Sequence, residues 1–266
     1  MTTTKRRNKL NPKQIHLLIL FYKFRYLNST LLAKYKKINQ SSTRRSLKVL
    51  YDQKYINRRY SNGYKLLGKA PTYSLAPKAI FLLKTEHQMN PVILQNMYKS
   101  KSLTDGFIDH NLDILDAYIS IRDKYPDTFN MFTKSELGDY DYFPDDKPDL
   151  YLHRLVENID KPTDYILNIY TDTQVYFIKK KVASYIDHFD SNTWQDKTGI
   201  KYPTILIACP DSRSEDNLRA HVVKILDNMG VDDLNIYITT TRALVDQYGS
   251  GEIWTNIYKP DELFDL

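Results

Sequence analysis

The stretch that decides the fold runs from Asn39 to Ser74 and reads NQSSTRRSLKVLYDQKYINRRYSNGYKLLGKAPTYS. Its first part has helical spacing, with Thr43, Leu47 and Leu50 on one face of a helix that ends near Lys54. The opposite face of that helix carries Ser41, Arg44, Arg45 and Lys48, with Asp52 as its only acid. An apolar face backed by a basic face is typical of a helix that lies in a DNA groove.

A basic two-stranded hairpin is predicted after this helix. The first strand begins at Tyr55, and Ser61-Asn62-Gly63 supply the turn, because Asn and Gly tolerate a positive φ angle. The return strand is predicted from Lys65 to Leu67 and resumes over residues 73–75. The basic residues of this hairpin are Arg58, Arg59, Lys65 and Lys69.

The flanking segments complete a recognisable order of elements. Two helices are predicted before the central one, from Pro12 to Tyr26 and from Thr30 to Lys37, and a fourth starts at Pro77. Three helices, a basic hairpin and a closing helix predict a winged helix-turn-helix over residues 1–88. In that fold the third helix enters the major groove and the wing contacts the backbone or the minor groove. The predicted DNA-binding residues are therefore Ser41, Arg44, Arg45, Lys48, Arg58, Arg59, Lys65 and Lys69.

The charge is divided unequally along the chain. Residues 1–101 hold 22 Lys and Arg against two acids, a formal charge of +20, and residues 102–266 hold 16 bases against 30 acids, a charge of −14. Such a division predicts two modules with different partners. The basic module is expected to bind nucleic acid, and the acidic module to repel it.

The acidic module has the pattern of an α/β domain. Residues 89–106 are interpreted as a linker, and residues 107–266 alternate amphipathic helices with short apolar strands such as Thr204–Ala208. The order of helices and strands predicts a mixed sheet, so the whole chain is assigned to the α+β class.

Composition excludes several classes of protein. No apolar run reaches the length of a membrane span, and residues 1–10 lack the apolar core of a signal peptide, so a cytoplasmic protein without membrane contact is predicted. The single Cys209 excludes an internal disulfide and a multi-cysteine zinc site, and the six histidines show no metal-binding spacing. No glycine-rich phosphate-binding loop is present.

The acidic module also offers a candidate metal-dependent nuclease site. Phosphate chemistry with divalent metals needs converging carboxylates, usually with a lysine nearby. Pro148-Asp149 at the start of a strand is the most suggestive pair, with Lys179 to Lys181 downstream. The alternative interpretation is a solvated acidic loop.

Short motifs along most of the chain resemble the bacterial replication-relaxation proteins. In chain order they are TYSLAPKAIFLL (72–83), His110-Asn111-Leu112, Pro148-Asp149, YILNIYTD (165–172), Lys181 with Tyr185, and PTILIACP (203–210). The resemblance implies a winged helix joined to a domain similar to the PD-(D/E)xK nucleases. It also implies a role in plasmid replication or mobilisation, with relaxase or replication proteins as partners.

The chain departs from the family pattern at the catalytic positions. Asn168 and Tyr170 stand where the family carries an acidic Glu-x-Asp pair, and neither can act as an anionic metal ligand or a general base. An active site would have to use Asp149, Asp172 and Lys181 with Mg²⁺. We therefore predict a nuclease-like scaffold without nuclease activity, and expect no metal or other cofactor.

Three functions follow from these patterns. The first is a double-stranded-DNA-binding accessory protein of plasmid replication or mobilisation, whose acidic domain recruits a protein partner or forms a homodimer. The second is a winged-helix transcription regulator. The third is a metal-dependent DNA nuclease.

Overall fold

The structure, a computed structural model, describes residues 10–60, 62–98, 103–155, 161–245 and 252–266. The chain divides into two units, Met1–Leu103 and Thr104–Leu266.

The first unit is a winged helix-turn-helix, as predicted. Its elements are α1 (Pro12–Phe24), β1 (Leu27–Asn28), α2 (Ser29–Lys36), α3 (Gln40–Asp52), β2 (Ile56–Arg59), α4 (Asn62–Leu66), β3 (Thr72–Leu75), α5 (Pro77–Glu86) and α6 (Pro91–Tyr98). Its three strands form an antiparallel sheet in the order β1-β3-β2. The predicted apolar face of α3 is buried at Thr43, Leu47 and Leu50.

Local sequence explains where the first helices begin. Asn11 caps α1 through a reciprocal pair of hydrogen bonds with Gln14, each 2.9 Å long, and Pro12 occupies the first turn. The side chain of Asn39 accepts a hydrogen bond from the Ser41 N–H at 2.7 Å and so starts α3. These caps fix the end of α3 from which its basic face extends.

The predicted return strand is wrong from Lys65 to Leu67, whereas its second part over residues 73–75 is confirmed by β3. Residues 62–66 form the short helix α4, and β3 begins only at Thr72, which pairs with Arg59. Tyr64 is buried and anchors α4 to the unit, while Gly68 leaves the helix with a φ angle of +65°. This tertiary contact overrides the turn preference of Asn-Gly; Ser61 of the predicted turn lies outside the described residues. We call residues 56–75 the wing.

Part of the predicted linker is helical. Residues 91–98 form α6, which buries Leu94 and Met97. Arg25 Nη2 donates a hydrogen bond to the Asn96 carbonyl at 3.3 Å. These contacts place the segment in the first unit, because its apolar residues complete that unit's core.

The second unit contains a mixed seven-stranded sheet, in agreement with the predicted mixed α/β layer. Its helices are α7 (Asp105–Lys124), α8 (Val175–Asp190), α9 (Thr193–Thr198), α10 (Ser212–Met229) and α11 (Thr241–Val245). Its strands are β4 (Phe129–Thr133), β5 (Leu150–Arg154), β6 (Asp164–Ile169), β7 (Thr204–Cys209), β8 (Ile236–Thr240), β9 (Trp254–Asn256) and β10 (Lys259–Phe264). The strand order is β10-β9-β8-β7-β6-β5-β4, with β6, β7 and β8 parallel.

Both faces of this sheet are covered at its centre. Every residue of β6 and β7 is buried, and their side chains alternate between two apolar clusters. One cluster includes Ile205 and Ile207 with residues of α8 and α10, and the other includes Leu206 and Ala208 with residues of α7 and α11. The two central strands are therefore rigid supports for residues at their ends. Within the described ranges, no helix is long and apolar enough to cross a membrane.

Candidate functional site

The basic face of α3 is exposed, as its periodicity predicts. Ser41, Arg44, Arg45 and Lys48 are all exposed. Lys48 Nζ lies 2.6 Å from Asp52 Oδ2, and Arg44 Nη2 donates to Gln40 Oε1 at 3.0 Å. Exposed pairs of this kind contribute little to stability. Both side chains can therefore leave these partners and bind phosphate at little cost.

The helix-turn-helix itself is held by a buried hydroxyl. Thr43 Oγ1 lies 2.9 Å from the carbonyl oxygen of Ser29 at the start of α2, and 2.8 Å from that of Gln40. The Thr43 side chain is buried, so this contact fixes α3 against α2 without using an exposed group. The direction in which the basic face points is set by this pairing.

One groove, which we call the basic groove, lies between α3 and the wing. It has a volume of about 640 Å³. Its basic and aromatic lining residues are Arg44, Lys48, Tyr51, Arg58, Tyr60, Lys69 and Tyr73. Residues from two distant parts of the sequence therefore form one cationic surface.

The positive charges of Arg44 and Arg58 act on the Tyr73 hydroxyl, which lines the same groove. Burial raises the pKa of the Tyr73 hydroxyl, and the positive charges of Arg58 and Arg44 oppose that rise. The Arg58 guanidinium lies 5.1 Å from the centre of the Tyr60 ring, which faces Lys65 Nζ at 5.5 Å. The groove thus combines positive charge with flat aromatic surfaces.

Four of the eight predicted contact residues, Ser41, Arg45, Arg59 and Lys65, do not line the basic groove. Arg45 lines a separate groove with Lys13, His16 and Lys36. Arg59 Nη1 donates to the Leu103 carbonyl at 2.9 Å, and Lys65 is on α4 beside Tyr60. The structure therefore brings together Arg44, Lys48, Arg58 and Lys69, whereas the three groove tyrosines were not predicted from the sequence.

In the second unit, Asp149 is the best-defined polar group. It precedes β5 and is only 5% exposed. Its Oδ2 accepts a hydrogen bond from the Ile169 N–H at 2.9 Å, and its Oδ1 lies 3.3 Å from His110 Nε2 on α7. Both carboxylate oxygens are thus engaged by the protein itself.

The protonation of this pair follows from its surroundings. Burial alone would raise the pKa of Asp149, but the hydrogen bond with His110, the Lys181 ammonium and the Ile169 N–H together lower it to about 2. Burial would lower the pKa of His110, but its hydrogen bond with Asp149 and the charge of that carboxylate raise it. The pair therefore favours an ionised carboxylate beside a protonated imidazole.

Lys181 reaches the same region from α8. Its Nζ lies 3.3 Å from Asp146 Oδ2 and donates to the Lys147 carbonyl at 3.3 Å, while Lys134 Nζ lies 2.6 Å from Asp146 Oδ1. Burial lowers the pKa of Lys181, and the nearby Asp149 carboxylate opposes this change. The carboxylates here are balanced by ammonium groups of the protein.

These groups surround one cavity of about 900 Å³, which we call the Asp149 cavity. His110, Asp149, Tyr170 and Lys181 all line it. Asp172, named as a candidate for an active nuclease, is exposed in the bend after β6 and is not among the lining residues.

The two positions that replace the family's acidic pair are both buried. Asn168 Oδ1 accepts a hydrogen bond from the Tyr185 hydroxyl at 2.9 Å. The Tyr170 hydroxyl lines the cavity and has no hydrogen-bond partner among the described residues. Neither side chain supplies negative charge, so Asp149 has no carboxylate beside it at these positions.

A divalent cation at Asp149 would compete with hydrogen bonds that the protein already makes to both carboxylate oxygens. Mg²⁺ prefers several oxygen ligands with octahedral geometry, whereas both oxygens of Asp149 already accept hydrogen bonds. Within the described parts of the chain, no group of three or more His, Cys, Asp or Glu residues is placed to hold a metal ion. The cavity is a polar pocket in which Asp146 and Asp149 lie close to the Lys181 ammonium.

No family model and no curated protein matches the chain. Among solved structures, similarity is found to the C30AH42A mutant of Lactococcus lactis ZitR, with 21% identity, coverage of 44% of this chain and 79% of that chain, and a TM-score of 0.26. Similarity is also found to the adhesin competence repressor AdcR of Streptococcus pyogenes, with 21% identity, coverage of 44% of this chain and 83% of that chain, and a TM-score of 0.25. TM-scores this low carry no argument about function.

Proposed function

We propose that the protein binds double-stranded DNA through its first unit, with α3 in the major groove and the wing on the adjacent backbone or minor groove. The observation that carries this proposal is the basic groove, where Arg44 and Lys48 of α3 line the same surface as Arg58 and Lys69 of the wing. A winged helix uses these two elements to contact DNA.

The distribution of charge supports the same proposal. Only two acids occur in residues 1–101, and one of them, Asp52, is paired with Lys48 on the surface of α3. Phosphate can replace that carboxylate as the partner of Lys48, because the pair is exposed and weakly held. Residues 102–266 carry a charge of −14, which suits contacts with proteins, or with a second copy of the chain, rather than with DNA.

For the cellular setting, we propose an accessory role in plasmid replication or mobilisation. Support comes from residues that carry the resemblance to the replication-relaxation proteins. His110, Asp149 and Lys181 are far apart in sequence yet line one cavity, and the Tyr185 hydroxyl lies 3.2 Å from the Asp146 carbonyl at its edge. Relaxase or replication proteins are the partners that this proposal implies.

The second candidate is a transcription regulator with the same DNA-binding unit. A winged helix that is joined to an acidic unit fits this function equally well. The two candidates differ in the DNA they prefer, so fragments that carry a replication origin, a transfer origin and a promoter should be compared in competition. Preference for an origin supports the accessory role, and preference for the promoter supports the regulator.

Nuclease activity is the alternative that the Asp149 cavity supports least. It would need an acidic pair where Asn168 and Tyr170 stand, and Asp172 is not among the residues lining the cavity. We propose that the second unit has a nuclease-like fold but does not cut DNA. Incubation of the protein and supercoiled plasmid with Mg²⁺ or Mn²⁺ tests this. Cleavage that disappears in Asp149→Ala would overturn the proposal.

DNA binding itself is tested by removing charge from the basic groove. The variants are Arg44→Gln, Lys48→Gln and Arg58→Gln, alone and combined, with Lys84→Gln on α5 as a control for loss of an exposed charge in the same unit. Removal of each cation that binds a phosphate should reduce the slope of log affinity against log salt by about 0.9. A triple variant that matches the wild type in affinity and slope would contradict the proposal.

A further inference from the structure

The tip of the wing presents two adjacent leucines to solvent. Leu66 is 88% exposed and Leu67 is 72% exposed, although both are large apolar residues. Single exposed apolar residues are common, but two neighbouring ones at the end of a projecting element mark a contact surface. We therefore infer that a partner covers Leu66 and Leu67.

The leucines are held on an ordered turn. Tyr64 is buried and anchors α4, the Leu67 N–H donates to the Gly63 carbonyl at 3.1 Å, and the Lys69 N–H donates to the Tyr64 carbonyl at 2.9 Å. Gly68, at φ +65°, reverses the chain directly after the pair. The buried tyrosine and the backbone hydrogen bonds hold the leucines outward, so little ordering cost remains when they bind.

The chemistry around the leucines indicates which partner fits. Lys65 precedes them and Lys69 follows them, and Arg58 with Lys65 flanks the Tyr60 ring. Lys69 and Arg58 also line the basic groove, so the apolar tip continues that surface. An apolar pair that is flanked by two lysines along the chain matches a base stack that is bordered by phosphates.

We propose that Leu66 and Leu67 enter the minor groove and wedge between adjacent base pairs, so that the protein bends DNA as it binds. This inference rests on the proposed binding of double-stranded DNA. Proteins that insert apolar side chains between base steps kink the duplex by about 20–90° towards the major groove. The flanking Lys65 and Lys69 then lie where they can bind the phosphates on either side of the kink.

The test uses the whole chain of 266 residues and a mixed-sequence duplex of about 30 base pairs, with a donor and an acceptor dye at its two ends. Binding is measured by anisotropy, and bending by energy transfer, for the wild type and for Leu66→Ser/Leu67→Ser. Phe81→Ser is the matched control, because Phe81 is 69% exposed in the same unit but lies on α5. Both substitutions are at exposed positions, and circular dichroism checks that each variant is folded.

We expect the wild type and Phe81→Ser to increase energy transfer on binding. Leu66→Ser/Leu67→Ser should lose most of this increase, with an affinity loss of about tenfold, because the apolar gain is partly offset by the cost of unstacking. Its salt dependence should stay unchanged, since no charge is removed. The flexible step TA, placed at the centre of the duplex, should raise the affinity of the wild type more than that of the double variant.

Two outcomes would overturn the wedge while leaving DNA binding intact. One is a wild type that binds without bending the duplex, and the other is a double variant that bends it as well as the wild type. A double variant that bends DNA normally but loses binding to vesicles with anionic lipid would assign the leucines to a membrane surface instead. If the wild type does not bind duplex DNA at low salt, the proposed function itself fails.

Discussion

His110 Nε2 lies 3.3 Å from Asp149 Oδ1, although these residues are 39 positions apart in the sequence. The contact joins α7 to the beginning of β5 and closes one side of the Asp149 cavity. It also moves the two pKa values in opposite directions: burial acts against ionisation of both groups, yet the pKa of Asp149 falls to about 2 and that of His110 rises. Because a shift in pKa is a contribution to stability, this contact makes the unfolding of the second unit depend on pH.

The first prediction is the form of that dependence. The Asp149 contribution is present above its unfolded pKa of 3.8 and is lost as the pH falls towards about 2. The His110 contribution is fully present below its unfolded pKa of 6.5 and is lost as the pH rises through its higher folded value. The free energy of unfolding of the second unit should therefore decrease both at low pH, where Asp149 is protonated, and at high pH, where His110 loses its proton. Urea unfolding between pH 2 and pH 9 measures it. His110→Gln should abolish the upper decrease and also weaken the lower one, because the hydrogen bond with His110 helps to hold the pKa of Asp149 down.

The second prediction concerns Asp149→Asn. This change leaves an oxygen to accept the Ile169 N–H but removes the charge that His110 and Lys181 face. Breaking this partly buried pair should cost about 2 kcal/mol, less than the loss of a partner from a fully buried pair, because the His110 side chain is 33% exposed. Thermal unfolding of the second unit reports it, and Asp172→Asn, at an exposed position, is the control. Equal stability of Asp149→Asn and the wild type would show that the pair contributes nothing.

The third prediction separates two adjacent arginines of the wing. Arg58 lines the basic groove, whereas Arg59 donates to the Leu103 carbonyl at 2.9 Å. Arg58→Gln should therefore weaken DNA binding and reduce its salt slope by about 0.9 with little effect on stability. Arg59→Gln should lower the stability of the first unit by about 1 kcal/mol and leave the salt slope unchanged. The reverse pattern would show that DNA contacts the other side of β2.

Sequence periodicity was sufficient for α3, because its burial repeats at helical spacing. Thr43, Leu47 and Leu50 are buried, and the four polar positions opposite them are exposed. In the wing, the turn preference of the local sequence gave the wrong secondary structure. Asn62-Gly63 favours a tight turn, but the burial of Tyr64 makes a helix there, and that contact is tertiary.

The candidate sites could be predicted only in part, for a similar reason. Arg44 and Lys48 follow from the helical spacing, but their convergence with Lys69 depends on the fold of the wing. Pro148-Asp149 is visible in the sequence, whereas its contact with His110 depends on how α7 packs on the sheet. Pairings between residues far apart in the chain leave no local pattern.

The fourth prediction tests how α3 is fixed. Thr43→Val keeps the shape of the buried side chain but removes the hydroxyl that lies 2.9 Å from the Ser29 carbonyl oxygen. The loss of this buried hydrogen bond should cost about 1–3 kcal/mol in the first unit. Thermal unfolding measures the loss. Ser46→Ala is the control, because the exposed Ser46 hydroxyl donates only to the Ser42 carbonyl of the same helix, at 3.0 Å. A Thr43→Val variant as stable as the control would contradict this role.

The last prediction tests whether a second carboxylate, at position 168, would turn the Asp149 cavity into a metal-binding site. Leu150 of β5 pairs with Leu167 of β6, so Asp149 and Asn168 are neighbours across the two strands. Asn168→Asp therefore places a second carboxylate beside the first. Without metal, repulsion between the two charges should destabilise the second unit. With Mg²⁺ or Mn²⁺ at about 100 times the dissociation constant, binding to the folded state should add roughly 2.7 kcal/mol, which raises the melting temperature.

The wild type is expected to show no such gain, since both oxygens of its single carboxylate accept hydrogen bonds from the protein. Asn168→Asp/Asp149→Asn keeps one carboxylate and is the matched control, so it should respond to metal no more than the wild type does. Equal stabilisation of the wild type by Mn²⁺ would mean that the natural residues already hold a cation. In that case the loss of the acidic pair at Asn168 and Tyr170 would not explain an absence of cleavage, and the nuclease alternative would regain its basis.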